Sequence, residues 1–230
     1  MLGIIGAMDE EVAKIKEHMT NVSVETIASM DFYQGLLNGK KSVAVRSGIG
    51  KVNAAICTQI LADIFHVNTV INTGIAGSLN KDIDIGDIVL STDTLEHDMD
   101  AVAFGYPLGQ IPRMDTLSFL ADERLRKVAL TACKKVLPSI KTFQGRIVSG
   151  DQFISNKAKK DWLIETFHGF CTEMEGAAIA HTAYLNHIPF LIIRAISDKA
   201  DDSATMDYPA FEAMAIENSV TLILEMAGDL

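Results

Sequence analysis

Short runs of consecutive apolar residues alternate along the chain with longer segments of helical periodicity. The apolar runs predict buried strands at 2–8, 42–48, 68–74, 142–151 and 189–198, with a further one that begins at 87. The periodic segments predict helices at 9–19, 51–65, 122–137, 155–167 and about 209–226. Continuous apolar strands separated by helices are typical of an α/β fold with a mainly parallel or mixed sheet.

The segment 98–121 is the one long irregular stretch in this pattern, and it is partly apolar. A loop of that length is usually functional or lies at an interface. The chain has no repeat, no low-complexity tract and no linker rich in proline, glycine or serine. We therefore expect one domain over residues 1–230.

Composition narrows the classes of function. The formal net charge is −10, which argues against a protein that binds a nucleic-acid backbone. Three widely spaced cysteines form neither a disulfide framework nor a metal knuckle, so a reduced cytoplasm is the expected location. No apolar run reaches the roughly 18–20 residues of a membrane span. We expect no signal peptide, because the first residues contain no basic leader.

Acidic residues gather where the predicted strands end. Asp9, Glu10 and Glu11 follow the first strand, and Asp151 and Asp198 follow two later ones. Ligands of open α/β sheets bind at the carboxyl ends of the strands. These ends therefore predict the place of a site.

Each of these acids also has a purely structural interpretation. Asp9 fits a helix N-cap, and acids in a first helical turn favourably meet the helix dipole. Glu11 differs from Glu10 because it borders the apolar face formed by Val12, Ile15 and Met19. Both the structural and the functional interpretation of Glu11 remain open.

The stretch "TEMEG" contains two further acids. Alternation along an extended segment places Glu173 and Glu175 on one face and Met174 on the other. A helix follows, so Glu175 also fits a helix-start carboxylate. Glu173 is interpreted as a structural acid.

Asp198 directly follows a buried strand that contains Ser197 and Arg194. A buried arginine needs a carboxylate or a polar ligand. The pattern leaves two alternatives open, a structural ion pair of Arg194 with an aspartate or glutamate, and a binding site.

Two weaker signals favour structural roles. The segment "NTGIAGS" lacks both the GxGxxG and the P-loop pattern, so it predicts a tight turn. His97 has no second histidine at ligand spacing, so it is interpreted as a polar or core histidine. We expect no metal and no cofactor.

Several segments together resemble one known family. The segments "GIIGAMDEEV", "SGIGKVNAA", "INTGIAG", "HDMDAVAFGYPLGQIP", "IVSGDQFI", "EMEGAAIAH" and "RAISDKAD" occur in order over nearly the whole chain. They resemble the 5′-methylthioadenosine/S-adenosylhomocysteine nucleosidases of the purine nucleoside phosphorylase superfamily. "GAMDEEV" and "AFGYPLGQIP" are similar to the nucleosidase branch in particular.

The resemblance implies a mixed, twisted sheet that forms a distorted barrel flanked by helices, and a homodimer. It also implies hydrolysis of the bond between adenine and a 5′-thio-substituted ribose, in methionine salvage and the recycling of S-adenosylmethionine by-products. The partner is then a small nucleoside rather than a nucleic acid or a membrane, and the location is the bacterial cytoplasm.

The resemblance implies a role for each site residue. Asp198 protonates N7 of adenine, Glu11 activates water and Glu175 binds the ribose hydroxyls. The substrate-binding residues are Met8, Ile75, Gly77, Phe153, Ile154, Met174, Arg194, Ser197 and Tyr208. The partner subunit contributes Phe104 and Pro112.

One position departs from the family. Members often have serine where this chain has Ile75, and an isoleucine side chain cannot hydrogen-bond to ribose or water. The alternatives are a nucleoside phosphorylase, another nucleosidase acting on AMP or a futalosine-type substrate, and a non-catalytic nucleoside sensor. Phosphorylases need basic or hydroxyl ligands for phosphate, whereas this chain has Asn72 and Ile75 at the corresponding places.

Overall fold

The computed structural model describes residues 1–201 and 204–230, without the side chains of 205–207 and 209. The strands are β1 (Leu2–Gly6), β2 (Met19–Ile27), β3 (Met30–Leu37), β4 (Lys40–Arg46), β5 (Thr69–Asn72), β6 (Ile75–Ser78), β7 (Ile88–Glu96), β8 (Phe119–Leu120), β9 (Thr142–Ser149), β10 (Cys171–Glu173) and β11 (Phe190–Asp198). The helices are α1 (Asp9–Glu17), α2 (Lys51–Asp63), α3 (Glu123–Val136), α4 (Lys157–Phe167), α5 (Gly176–Leu185) and α6 (Ala204–Asp229), with a short 3-10 turn at Val102–Phe104.

All of these strands belong to one mixed sheet in the order β2-β3-β4-β1-β5-β11-β6-β10-β9-β7-β8. Strand β7 also pairs with β11, which closes β11, β6, β10, β9 and β7 into a five-stranded ring. Strands β5, β1, β4, β3 and β2 extend from β11 as an open arm, and β8 pairs with the outer edge of β7. The predicted mixed, distorted barrel with flanking helices is therefore confirmed.

Strands β1 and β11 are buried along their whole length. Strand β1 lies parallel to both β4 and β5, and β11 pairs with β5, β6 and β7. A strand with neighbours on both edges and helices on its faces has no solvated side, which explains the continuous apolar sequence. None of the described helices is long and apolar enough to cross a membrane.

Several local predictions are wrong. The predicted tight turn in "NTGIAGS" is strand β6, which lies parallel to β11 and antiparallel to β10. Met8, rather than Asp9, is the N-cap of α1, and Asp9 is its first helical residue. Met19 opens β2 instead of extending the apolar face of α1, because the helix ends at Glu17. Strands β2 and β3 were not predicted at all, and β2 is an exposed edge strand with little apolar alternation.

Close packing inside the ring yields a stability prediction. Gly145 lies in β9, where an added Cβ would be 2.2 Å from Cγ of Phe170. We expect Gly145→Ala to lower the free energy of unfolding by about 1–3 kcal/mol through overpacking, measured by urea denaturation. Gly228→Ala in α6 is the matched control, because nothing lies within 4 Å of its added Cβ. Equal stability of the two variants would contradict this account.

Candidate active site

A cavity of about 400 Å³ opens where β1 and β11 end and β6 runs beside them. Its lining residues are Ala7, Met8, Glu11, Ile49, Ile75, Ala76, Gly77, Phe153, Thr172, Glu173, Met174, Glu175, Ser197, Asp198 and Tyr208. The predicted catalytic acids are all among them. The strand ends that the sequence singled out therefore meet at one cavity.

Glu11 is buried in the first turn of α1, and main-chain N–H groups surround its carboxylate. Oε2 accepts hydrogen bonds from the N–H groups of Ala7, at 2.6 Å, and Met8, at 3.1 Å. Oε1 accepts one from the N–H of Ile75 at 3.2 Å. Burial raises the pKa of Glu11, and the charge of Arg194 together with these hydrogen bonds opposes that rise. The backbone N–H of Ile75 therefore helps to hold the carboxylate of Glu11, although the Ile75 side chain cannot hydrogen-bond.

Glu175 is the N-cap residue of α5 and is buried. Its Oε1 accepts a hydrogen bond from the N–H of Gly50 at 2.8 Å. Burial and the neighbouring carboxylate of Glu173 raise its pKa to about 8, whereas the charge of Arg194 and the Gly50 bond act in the opposite direction. The cavity therefore contains a carboxyl group that changes charge close to neutral pH.

Asp198 is the last residue of β11, and both of its carboxylate oxygens accept hydrogen bonds. The hydroxyl of Ser197 donates to Oδ2 at 2.9 Å, and the N–H of Ala200 donates to Oδ1 at 2.7 Å. Gly77 of β6 faces this carboxylate, and a Cβ there would lie 2.8 Å from Oδ1. The close approach of β6 to Asp198 therefore requires glycine at position 77.

Arg194 lies behind the cavity rather than in its lining, fully buried within β11. Its Nη2 donates to Asn72 Oδ1 at 2.5 Å and to the carboxylate of Glu173. Glu173 also accepts hydrogen bonds from the Ser149 hydroxyl and from the N–H groups of Glu175 and Gly176. The alternative of a structural Arg–Glu pair is thus realised with Glu173, whose pKa is lowered by Arg194 against the effect of burial.

Glycine is also required where Arg194 approaches Glu11. A Cβ on Gly74 would lie 2.7 Å from Glu11 Oε1 and 3.0 Å from Arg194 Nη1. Both side chains therefore converge on the backbone between β5 and β6. This contact brings the guanidinium charge close enough to Glu11 to affect its pKa.

Apolar side chains form the rest of the wall. The rings of Phe153 and Tyr208 meet edge to face with centroids 5.9 Å apart. The Tyr208 hydroxyl lies 3.4 Å from the sulfur of Met8 and donates to Glu212 at 2.9 Å. Ile154 lines a small cleft that shares several residues with the main cavity. This wall suits an apolar or aromatic group.

A sequence model of the phosphorylase superfamily matches residues 1–227 of this chain. The 5′-methylthioadenosine/S-adenosylhomocysteine nucleosidase of Halalkalibacterium halodurans is 43% identical over 231 residues, covering 100% of this chain and 98% of the relative. The chain belongs to the 5′-methylthioadenosine/S-adenosylhomocysteine nucleosidase family. Its two buried strand ends and its cavity are therefore those of a nucleosidase-family protein.

Solved structures agree with this membership. The nucleosidase of Neisseria meningitidis in complex with methylthio-immucillin-A has a TM-score of 0.96 and 39% identity, covering 100% of this chain and 99% of that one. Futalosine hydrolase of Helicobacter pylori has a TM-score of 0.94 and 33% identity, covering 100% and 97%.

In this nucleosidase-family chain, two predicted site residues besides Arg194 lie apart from the cavity. Phe104 is 83% exposed and Pro112 is also exposed, and neither is part of the lining. The sequence prediction assigned both to a partner subunit's site, and that assignment stays a prediction. Among the described residues, no group of three or more histidine, cysteine or acidic side chains is arranged to hold a metal ion. His97 is buried, as expected of a core histidine.

Sequence reasoning missed several residues of the nucleosidase-family site. Ala7, Ile49, Ala76 and Thr172 line the cavity without a pattern of their own, and Gly50 contacts Glu175 from 125 residues away. Glu173 was assigned only a structural role, although it pairs with Arg194 and lines the cavity. The one available signal was the buried arginine, which required an acid but did not specify which.

The raised pKa of Glu175 predicts a pH-dependent stability. Between the ordinary value of 4.5 and about 8, the folded chain retains a proton that the unfolded chain releases. The free energy of unfolding therefore falls as pH rises through this range. We expect Glu175→Gln, which cannot ionise, to melt at least about 2 °C above the unchanged protein near pH 8, a gain that vanishes near about pH 5.

Thermal denaturation at a series of pH values measures this effect. The matched control is Glu17→Gln, because Glu17 is an exposed acid on α1. It should give no gain that grows with pH. A melting difference for Glu175→Gln that is constant across pH would contradict the assigned titration.

Proposed function

We propose that this protein hydrolyses the N-glycosidic bond of 5′-methylthioadenosine and S-adenosylhomocysteine, releasing adenine and the 5′-thio-substituted ribose. The observation that carries the proposal is the convergence of three buried carboxyl groups, Glu11, Glu175 and Asp198, on one partly apolar cavity. Cleavage of a glycosidic bond passes through an oxocarbenium-like state, which requires an acid for the leaving group and anions near the sugar. These three side chains supply both.

Asp198 is proposed as the general acid that protonates N7 of the departing adenine. Adenine is a poor leaving group as an anion, so a proton donor accelerates the step. The Ser197 hydroxyl and the Ala200 N–H hold the two oxygens of Asp198 in a defined orientation. Phe153, half exposed at the edge of the cavity, is proposed to stack on the base, and the backbone of Ile154 to contact its edge.

Glu11 is proposed as the base that activates water. Its pKa is raised by burial, and a base whose pKa lies closer to neutral accepts a proton more effectively at working pH. The N–H groups around it restrict its rotation, so the carboxylate keeps a fixed direction. Arg194, next to it, limits the rise of its pKa.

Glu175 is proposed to bind the ribose hydroxyls, with Met174 packed against the sugar. As positive charge develops on the ribose, the ionised form of Glu175 becomes favoured over the protonated one. The apolar Met8 and the ring of Tyr208 are proposed to contact the 5′-alkylthio group. The proposed setting is the cytoplasm, in methionine salvage and the recycling of S-adenosylmethionine by-products.

A phosphorylase on the same fold is the closest alternative. Phosphate carries two negative charges and needs basic ligands, yet no lysine, arginine or histidine is in the cavity lining among the residues that the structure describes. Arg194, the nearest guanidinium, is already paired with Glu173 and Asn72. The acids would repel phosphate, which favours water as the nucleophile.

Futalosine hydrolysis is a second candidate function. The observation in its favour is the likeness to the Helicobacter pylori futalosine hydrolase structure. Water remains the nucleophile in this candidate, so the same acid, base and ribose ligand would serve. The two candidates differ in the group attached at the 5′ position and are separated by comparing the substrates directly.

The deciding experiment is incubation of the protein with 5′-methylthioadenosine, with and without phosphate. We expect free methylthioribose and adenine at the same rate in both, measured by chromatography. A strict phosphate requirement with a sugar 1-phosphate product would overturn the hydrolase assignment.

We also expect Asp198→Asn to lower turnover by at least about 10²-fold, because general acid catalysis contributes about 10²–10⁴-fold. Near-normal turnover of the Asp198→Asn variant would show that Asp198 is not the acid.

We also propose that the protein acts as a homodimer. Five apolar or aromatic side chains of α2, β8 and α5 are exposed, and we call them the α2–α5 surface: Val52, Ile56, Leu120, Tyr184 and Leu185. The two helices and β8 adjoin one another, since Tyr184 of α5 contacts the Phe119 ring of β8 at 5.4 Å. Ile49, next to this surface, is 55% exposed and also lines the cavity. A second copy covering the α2–α5 surface would therefore border the site.

The dimer proposal predicts a role for Phe104. Its ring is 83% exposed in one chain, so a partner's cavity would bury it against the alkylthio group. We expect Phe104→Ala to raise KM for 5′-methylthioadenosine severalfold, in line with about 3 kcal/mol at most for a buried side chain. The control is Val24→Ala on the exposed edge strand β2, which should leave KM unchanged. If gel filtration shows a fully active monomer, the proposal of a site shared between two subunits is wrong.

A further inference from the structure

Helix α2 begins beside the cavity without a capping side chain of its own. Its N-cap residue is Gly50, with φ 95° and ψ 162°, and no side chain caps the helix locally. Two carboxylates from distant segments take that place. Glu175 Oε1 accepts from the N–H of Gly50 at 2.8 Å, and Asp151 Oδ1 accepts from the N–H of Lys51 at 2.8 Å. The helix dipole stabilises the anion of Asp151 at this N-terminus, and an oxygen of Glu175 accepts the Gly50 N–H in either protonation state.

The side chain of Lys51 closes a ring of hydrogen bonds around the start of this helix. Its Nζ donates to Asp98 Oδ1 at 2.7 Å and to Glu96 Oε2 at 3.0 Å. Asp98 Oδ2 in turn accepts from the N–H of Asp151 at 2.9 Å, and Asp151 holds the N–H of Lys51. The closed ring therefore joins the start of α2, the end of β7 and the loop after β9.

Three of the four side chains in this ring are largely withdrawn from solvent, whereas Asp151 is exposed. The side chain of Lys51 is 19% exposed, that of Glu96 9% and that of Asp98 18%. Removing the ammonium group would leave two carboxylates close together without a cation, a costly arrangement at low exposure. Lys51 therefore links the start of α2 to the end of β7.

We propose that Lys51 is a positioning residue for the nucleosidase reaction, which acts by holding the Gly50 N–H on the carboxylate of Glu175. The inference rests on the proposed function, because Glu175 matters here as the ligand of the ribose hydroxyls. Lys51 itself does not line the cavity and does not touch the substrate. Lys51 acts on the reaction indirectly, through the hydrogen bond from the N–H of Gly50 to Glu175, which in turn binds the sugar.

The substrate itself offers a way to isolate this effect. The test compares 5′-methylthioadenosine with its analogue that lacks the 2′- and 3′-hydroxyls, on the unchanged protein and on Lys51→Met. A misplaced Glu175 loses its contacts to those hydroxyls, which the analogue never makes. We expect kcat/KM to fall at least about tenfold on 5′-methylthioadenosine, since small misplacements near a reacting centre cost up to about 10²-fold. On the analogue we expect kcat/KM to fall less than about threefold, because the analogue has no hydroxyl groups for Glu175 to bind.

Two further variants control the experiment. Lys51→Arg retains the cation and should restore most of the activity on 5′-methylthioadenosine. Lys135→Met removes a remote lysine that is paired with Glu225 on the surface, and it should have no effect on either substrate. If Lys51→Met does not fold, Asp98→Asn weakens the same ring while the ammonium group of Lys51 stays paired with Glu96, and it should give the same selective loss.

The outcomes separate the two proposals. An unchanged protein that does not hydrolyse 5′-methylthioadenosine overturns the proposed function. A loss of equal size on both substrates, or no loss, in a folded variant overturns the positioning role of Lys51 while leaving that function in place. Loss of activity on 5′-methylthioadenosine but not on the analogue, with activity restored in Lys51→Arg, supports the positioning role of Lys51.

Discussion

One buried guanidinium sets the electrostatics of the whole site. Arg194 lies inside the barrel, and its charge acts on Glu11, Glu173 and Glu175. One cation cannot neutralise three carboxylates in a medium from which water is excluded, so the acids differ in their protonation. Glu173 pairs directly with the arginine and its pKa falls, whereas the pKa of Glu175 rises to about 8. The site therefore contains acids with distinct properties, and distinct roles in glycoside cleavage require such differences.

The closed ring of strands brings these groups together. Strand β11 carries Arg194 and Asp198, and its pairing with β6 and β7 leaves its carboxyl end as one wall of the cavity. Gly74 and Gly77 lie where that wall needs the backbone to approach side chains at distances that a Cβ would forbid. Larger residues at these points, one just before β6 and one within it, would separate Glu11 from Arg194 and displace Asp198. Glycine at these two positions is therefore a condition of the site.

Much of the fold was predictable because burial on two faces leaves a clear mark. Strand β1 and the first four residues of β11 are apolar, and α4 runs from its N-cap Asn156 to Phe167, within two residues of the predicted 155–167. The β2–β3 hairpin was missed because an edge strand open to solvent carries no apolar alternation. Strand β6 was missed because a segment of only four residues, with a glycine before it and another within it, matches a turn equally well. For β6 the deciding factor was its pairing with β10 and β11, which are far away in sequence.

The amino-acid sequence by itself determined the alternation of strands and helices, the gathering of acids at strand ends, and the resemblance to the nucleosidases. These properties depend on residue types at short spacing, which local periodicity records. Only the tertiary structure decided that Arg194 pairs with Glu173, and that Gly50 donates to Glu175 from 125 residues away. Such contacts depend on which strand ends meet in space. The protonation of a carboxyl group also depends on which strand ends lie together, because burial and neighbouring charges set its pKa.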